Sequence, residues 1–208
     1  GTSWLQKHAF SSHPSIHYLG DPFVNRRLRL LFHEPIDTRD VDFDAQSLQQ
    51  RFAGQIDRPG GKIVGVSREA LSASNYITGE HARRNAERIR AIFGPTKIVF
   101  VIREQFSMLR SLYSEYVKQG GTLRFPDFLF DPVESQGLVE RLKYHKTLEM
   151  YVDVFGARNC HFALFEEFKN DKRSFLASLY SFLGCECRDS IELPAADAVN
   201  AALTNGGL

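Results

Sequence analysis

The chain contains 208 residues, of which 43% are hydrophobic, and this is enough to bury a full core in a single domain over residues 1–208. Its 26 lysines and arginines nearly balance its 25 aspartates and glutamates, so the net charge of +1 gives no electrostatic basis for binding nucleic acid or a membrane surface. No run of about 18 apolar residues is present, and no membrane span is predicted. Any anion-binding site must therefore be local.

Short apolar runs alternate along the chain with amphipathic helical patterns. In chain order, the predicted elements are an opening helix within 1–10, a strand at 15–20, helices at 22–32 and 42–56, a strand at 62–66, a helix at 81–93, a strand at 97–102, helices at 104–119 and 135–155, a strand at 160–165 and a helix at 171–183. This order predicts an α/β fold with a mainly parallel sheet covered by helices on both faces. Ligands of such sheets collect at the carboxyl ends of the strands, so the residues after positions 66 and 102 are candidate site residues.

The cysteine content indicates neither a metal centre nor a disulfide framework. The chain has three cysteines, Cys160, Cys185 and Cys187, and no His or Cys partners stand at the spacing that zinc sites use. An odd number of thiols is typical of a reducing compartment, and no secretory signal is visible at the start of the sequence. We therefore expect a cytoplasmic protein without a bound metal.

The first residues place hydroxyl groups at the start of a helix. Gly1, Thr2, Ser3 and Trp4 precede an apolar and polar mixture that has helical character. Free backbone N–H groups and the helix dipole make such a start suitable for an anion. The alternative is an ordinary helix N-terminus with Thr2 or Ser3 as its cap.

A second candidate anion site follows the most hydrophobic strand. Arg103 leaves the strand at its carboxyl end, and Ser107 and Ser111 lie on one face of the next helix at i, i+4 spacing. A guanidinium fork combined with a hydroxyl suits a phosphate monoester. The alternative is that Arg103 pairs with a neighbouring carboxylate and that Ser111 is a small residue facing the core.

These motifs resemble those of a known family, the sulfotransferases that use 3'-phosphoadenosine 5'-phosphosulfate (PAPS), in its bacterial-type form. Residues 1–5 are similar to the end of the family's 5'-phosphosulfate loop. Residues 101–103, with Ser111 eight positions after Arg103, are similar to its 3'-phosphate motif. Residues 144–156 resemble one of its later regions, and residues 165–184 are similar to the strand, acidic loop and helix that are common in bacterial members. The resemblance extends over most of the chain in the family's order.

The resemblance implies a P-loop-like three-layer fold and a function. The protein would transfer a sulfonate from PAPS to a hydroxyl or amine of a carbohydrate or small-molecule acceptor, in line and without a metal, leaving adenosine 3',5'-bisphosphate (PAP). Gly1, Thr2 and Ser3 would hold the 5'-phosphate and the sulfonate, and Trp4 would lie near the adenine. Arg103 and Ser111 would bind the 3'-phosphate. The motifs suggest no oligomeric state.

The sequence also departs from the family pattern. The family has a lysine two residues before the glycine that matches Gly1, and a strand that leads into that loop. The given sequence begins at Gly1 and contains neither of them. The family's general base is a His or a Glu. Glu69, just after the strand at 62–66, is the first candidate and His33 the second. The alternative for Glu69 is a first-turn carboxylate that interacts favourably with a helix dipole.

Two other functions compete with this interpretation. A sulfotransferase-like module without catalytic activity, which binds a protein or a glycan, is compatible with the absence of the lysine. A P-loop kinase requires Gly-Lys-Ser/Thr and an Asp after a strand. Here Trp4 follows Ser3 and Arg103 follows the strand, so the kinase is the weaker alternative.

Overall fold

The computed structural model of the chain describes residues 2–20, 39–56, 59–67, 79–131 and 138–186. It contains two pairs of parallel strands. In the first pair, β1 (Ile16–Gly20) lies beside β2 (Ile63–Val66), with Ile16 opposite Ile63. In the second, β3 (Ile98–Ile102) lies beside β4 (Cys160–Leu164), with Ile102 opposite Leu164. Over the described residues the two pairs are not hydrogen-bonded to each other.

Helices connect and flank these strands. The first, α1 (Thr2–Trp4), continues directly into a π-helix (Leu5–Phe10). The remaining α-helices of the described ranges are α2 (Ala45–Gln55), α3 (Gly79–Phe93), α4 (Gln105–Lys118), α5 (Phe125–Phe130), α6 (Leu138–Arg141), α7 (Tyr144–Phe155), α8 (Phe165–Asn170) and α9 (Lys172–Leu183). Short 3-10 turns lie at Asp40–Asp42, Pro59–Gly61 and Ala157–Asn159.

The strand β3 is covered on both faces. Val99 and Val101 pack into a core formed with the π-helix, α8 and α9, whereas Ile98 and Phe100 pack into a second core formed with α2, α3 and α7. Alternation of this kind follows from the two-residue period of a strand. Ile63 of β2 and Ala163 of β4 contribute to the first core, so strands from both pairs share it. The predicted α/β class, with parallel strands between layers of helices, is confirmed.

Local sequence signals explain several helix ends. Asp44 caps α2 by accepting hydrogen bonds from the N–H groups of Gln46 and Ser47, and Asp171 caps α9 in the same way. Gly184 ends α9 in the left-handed conformation, with φ of 80°, which glycine adopts without steric cost. These caps explain why the predicted limits of both helices lie within a few residues of the observed ones.

The prediction of one helix over 135–155 is wrong. Within the described part of that range the structure has two helices, α6 and α7, separated at Leu142 and Lys143. Leu142 packs with Phe128 and Leu138 in a third apolar cluster, whereas Tyr151 and Phe155 belong to the second core. Tyr144, the first residue of α7, also packs against the third cluster, so the break lies where the chain passes from that cluster to the second core.

Two smaller differences concern neighbouring segments. The stretch between the strand predicted to end at 165 and the helix predicted to begin at 171, which the resemblance marks as an acidic loop, forms the helix α8, in which the carboxylate of Glu167 accepts a hydrogen bond from the N–H of Leu164. The helix α5 was not predicted, because only its Pro126 near the first position indicates a helix start. The predicted helix at 22–32 lies outside the described residues.

Candidate functional site

Arg103 lies at the carboxyl end of the second strand pair. It directly follows β3, and its guanidinium carbon is 5.4 Å from the centre of the Phe165 ring, which directly follows β4. The Nε atom of Arg103 is buried and has no hydrogen-bond partner in the described structure. The arginine is therefore oriented by an aromatic face, and part of its donor capacity is unused.

The opening turn, residues 2–4, reaches the same edge of the fold through α8. The indole of Trp4 is only 6% exposed and lies 5.2 Å from the ring of Phe168, and Phe168 lies 6.0 Å from Phe165. Arg103, Phe165, Phe168 and Trp4 thus form a continuous series of contacts. The structure brings together the two segments from which the sequence predicts an anion site.

Within the opening turn, the exposure of the side chains differs strongly. Ser3 is exposed. Trp4 is enclosed by Phe168, by His8 at 5.1 Å and by Lys172, whose Nζ is 5.1 Å from the ring centre. The indole fixes the turn against α8 and α9, and the hydroxyl of Ser3 is left accessible. Thr2 is the first residue of α1, and Gly1 lies outside the described residues.

The N-terminus of α4 is occupied by its own cap. The carboxylate of Glu104 accepts hydrogen bonds from the N–H groups of Phe106 at 2.8 Å and Ser107 at 2.7 Å. These backbone bonds, together with the nearby charge of Arg103, lower the pKa of Glu104. The amides of Phe106 and Ser107 are therefore not available to an external anion.

Ser111 lies on α4 after Arg103. It is exposed, whereas Ser107, one turn earlier, is partly buried. At 1.5 Å per residue, Ser111 lies about 9 Å along the helix axis from Gln105, where the helix begins. An anion held by both Arg103 and Ser111 would therefore lie along the outside of α4 and not at its end.

Two further residues at this edge were not predicted. Glu166 accepts a hydrogen bond from the N–H of Glu104 at 3.1 Å. Tyr144, the first residue of α7, has its pKa raised by burial and by the charges of Glu166 and Glu104, while Arg103 opposes this shift. The three charged side chains therefore act on the phenol of Tyr144, which stays neutral at physiological pH. In the sequence the only signal for Tyr144 was its position within a region of family resemblance.

The carboxyl end of the first strand pair also carries polar side chains. Ser67 directly follows β2, and its Oγ accepts a hydrogen bond from the side-chain amide of Gln6 at 2.8 Å. The hydroxyl of Tyr18, from β1, lies 2.6 Å from the same oxygen. These three side chains, called here the Ser67 junction, connect the π-helix to both strands of the pair.

The two candidates for the general base, Glu69 and His33, lie outside the described residues. In the described part of the chain no three His, Cys, Asp or Glu side chains form a group that could hold a metal ion. Cys160 and Cys185 are free thiols whose pKa values are raised by burial. Over the same residues, no helix has both the length and the apolar character needed to cross a bilayer.

Among solved structures, the chain is similar to the crystal structure of a sulfotransferase from Alicyclobacillus acidocaldarius. The TM-score is 0.62 with 20% sequence identity, and the match covers 94% of this chain and 82% of that one. No protein-family model matches the chain, and no curated protein matches it significantly. The structural likeness shows that this chain has the P-loop-like α/β fold of that protein.

Proposed function

We propose that this protein is a sulfotransferase that moves a sulfonate from PAPS to a hydroxyl or amine of a carbohydrate or small-molecule acceptor. The observation that carries the proposal is the series of contacts from Arg103 through Phe165 and Phe168 to Trp4. It joins the two segments that resemble the donor motifs of the family at one edge of the fold. The fold shared with a solved sulfotransferase supports the same conclusion.

The roles of the donor-site residues follow from their chemistry. Arg103 supplies a permanent positive charge with a buried, unused Nε donor, and Ser111 supplies an exposed hydroxyl for the 3'-phosphate. Gly1, Thr2 and Ser3 hold the 5'-phosphate and the sulfonate with hydroxyl and backbone N–H groups. Trp4, whose indole is enclosed, contributes by fixing Ser3 and offers little exposed surface to an adenine near it.

Transfer needs an in-line acceptor oxygen or nitrogen, a base and stabilisation of charge on the leaving phosphate. The base takes the proton from the acceptor as its bond to sulfur forms and the bond from sulfur to the leaving phosphate oxygen breaks. Glu69 is proposed for this role, with His33 as the second candidate. The family's loop lysine would act on the leaving oxygen, and it belongs to the part of the pattern that precedes Gly1.

The donor half of this proposal is tested by calorimetric titration with PAP, AMP and ADP. We expect PAP to bind at least tenfold more tightly than AMP, because only PAP offers a 3'-phosphate to Arg103. Arg103→Ala and Ser111→Ala should weaken PAP and leave AMP unchanged. Arg110→Ala is the matched control, since it removes an exposed positive charge from the same helix next to Ser111. Equal affinity for PAP and AMP would contradict the proposal.

The transfer half needs its own experiment, because donor binding alone is also expected of a non-catalytic module. Radiolabelled PAPS is incubated with a panel of oligosaccharides, small alcohols and amines, and transferred label is measured. Label on an acceptor, lost in Arg103→Ala, supports the enzyme. Tight PAP binding with no label transferred to any acceptor in the panel would favour the module.

A further inference from the structure

Three segments that are distant in sequence meet at one oxygen atom. Gln6 and Ser67 are 61 positions apart, yet the Gln6 amide donates to Ser67 Oγ at 2.8 Å. Tyr18 and Ser67 are 49 positions apart, and their hydroxyl oxygens are 2.6 Å apart. Both contacts are partly buried, where a lost partner leaves a polar group without compensation. The Ser67 junction is therefore a specific tether between the π-helix and the ends of β1 and β2.

The backbone of Gln6 is held in place at the same time. Its carbonyl oxygen accepts hydrogen bonds from both the N–H of Ser11, at 3.3 Å, and the hydroxyl of Ser11, at 2.7 Å. The segment Leu5–Phe10 is a π-helix, a rare form that is frequent at functional sites. Because the backbone of Gln6 is held within the helix, a shift of the helix also moves the side-chain amide of Gln6. That amide is hydrogen-bonded to Ser67 Oγ, so the shift reaches Ser67.

The position of the tether relates it to the proposed reaction. Ser3 precedes Gln6 by three residues, within one helical turn, and is the exposed hydroxyl of the opening turn. Ser67 is the residue at which the chain leaves β2, two positions before Glu69. One end of the tether therefore lies on the donor side and the other on the side from which the base is proposed to come.

We propose that Ser67 is a positioning residue that couples the donor-binding turn to the carboxyl end of β2. The inference rests on the proposed function, because it takes residues 2–4 as donor-binding. When the donor settles against Ser3, the Gln6 amide and Ser67 Oγ hold the end of β2 at a fixed distance from it. Small errors in the alignment of reacting groups are costly, so a residue that touches neither substrate can still govern transfer.

The experiment uses hydrogen exchange measured by mass spectrometry, with PAP as the probe. In the unsubstituted protein we expect PAP to slow the exchange of amides in the segment 63–67 by threefold or more, since binding tightens the tether. Ser67→Ala removes both contacts of the junction, Gln6→Met removes the hydrogen bond from the Gln6 amide, and both variants retain most of the packing. In both variants PAP should still bind within about threefold of its original affinity, and the slowing at 63–67 should be lost.

Two variants serve as controls. Ser67→Thr keeps the hydroxyl and should restore the slowing, which a purely packing role would not require. Ser12→Ala removes a hydroxyl of the same N-terminal region that bonds to the carbonyl of His8, outside the junction, and should leave the slowing intact. Circular dichroism establishes that each variant is folded. If Ser67→Ala loses its fold, Gln6→Met tests the same tether without a substitution at the end of β2.

The outcomes separate this inference from the function on which it rests. Slowing that is lost in Ser67→Ala and kept in Ser67→Thr supports the positioning role. Slowing of equal size in Ser67→Ala and in the unsubstituted protein, with PAP bound in both, overturns the positioning role and leaves the sulfotransferase proposal standing. Failure of PAP to bind the unsubstituted protein overturns both proposals.

Discussion

The guanidinium of Arg103 lies 5.4 Å from the centre of the Phe165 ring, across the ends of two neighbouring parallel strands. Arg103 follows β3 and Phe165 follows β4, so the contact exists because the carboxyl ends of parallel strands meet at one edge. Close by, the carboxylate of Glu166 accepts a hydrogen bond from the backbone N–H of Glu104. The face of the Phe165 ring orients the guanidinium of Arg103 and leaves its positive charge in place.

The first prediction concerns that contact. Phe165→Leu should weaken PAP binding by about threefold to tenfold, equivalent to about 0.7–1.4 kcal/mol, because the guanidinium loses the aromatic face and retains its charge. Calorimetric titration measures the change. Phe130→Leu, at an aromatic residue that is 75% exposed, is the matched control and should leave affinity unchanged. Unaltered affinity in a folded Phe165→Leu would show that the ring does not orient Arg103.

The second prediction separates the two residues of the opening turn. Trp4→Ala should lower the free energy of unfolding by about 3–5 kcal/mol, because the indole is almost fully buried against Phe168 and His8. Ser3→Ala, next to it and exposed, should change it by no more than about 0.5 kcal/mol. Urea unfolding followed by circular dichroism gives both values. A small loss in Trp4→Ala would contradict the enclosed position of the indole.

The sequence predicted those parts of the site that depend on local pattern. The run Ile98–Ile102 is a strand because it is short, apolar and rich in β-branched residues, and Arg103 follows it as a break in that pattern. The cap at Asp171 and the glycine at Gly184 are equally local. The position of Arg103 at a strand end therefore follows from its immediate neighbours in the chain.

Other parts depend on contacts between distant segments and could not be predicted. Nothing near Gln6 in the sequence indicates that its amide bonds to Ser67, 61 positions away. Local propensity at Leu142 favours helix and gives no sign of the break, and the packing of Leu142 against Phe128 is likewise a contact that the local pattern does not show. The enclosure of Trp4 likewise depends on Phe168 and Lys172, which the chain supplies only near its other end.

The third prediction concerns acid pH and the cap of α4. Hydrogen bonds from the Phe106 and Ser107 amides lower the pKa of Glu104 below its ordinary value of 4.5. As pH falls, the carboxyl of the unfolded chain is protonated first, so the cap contributes fully at neutral pH and is lost as pH falls through the folded-state pKa. In the variant Glu104→Gln, residue 104 has no carboxyl group to be protonated.

Melting temperatures of the unsubstituted protein and Glu104→Gln, measured from about pH 7 down to about pH 3, test this expectation. The unsubstituted protein should be the more stable of the two at neutral pH, and the difference should shrink as the pH approaches the lower end. A difference that stays constant over the whole range would mean that the charge of Glu104 contributes nothing to the helix start.

The fourth prediction concerns alkaline pH and Tyr151, which lies in the second core. Burial raises the pKa of Tyr151 well above its ordinary value of 10.0, and the negative charge that Cys160 carries when ionised adds to the shift. Above that ordinary value the unfolded chain loses the phenol proton while the folded chain retains it. Stability should therefore fall as pH rises, by up to about 1.4 kcal/mol per pH unit for this one proton.

Tyr151→Phe keeps the ring that packs against Phe100 and Phe155 and removes the titrating group. The free energy of unfolding of both proteins is measured with urea at intervals from about pH 8 to about pH 11. Below about pH 10 it should change with pH in the same way in the two proteins. Above about pH 10 the unsubstituted protein should lose stability more steeply than the variant. Equal slopes would mean that Tyr151 ionises as readily in the folded core as in the unfolded chain, which is incompatible with its burial there.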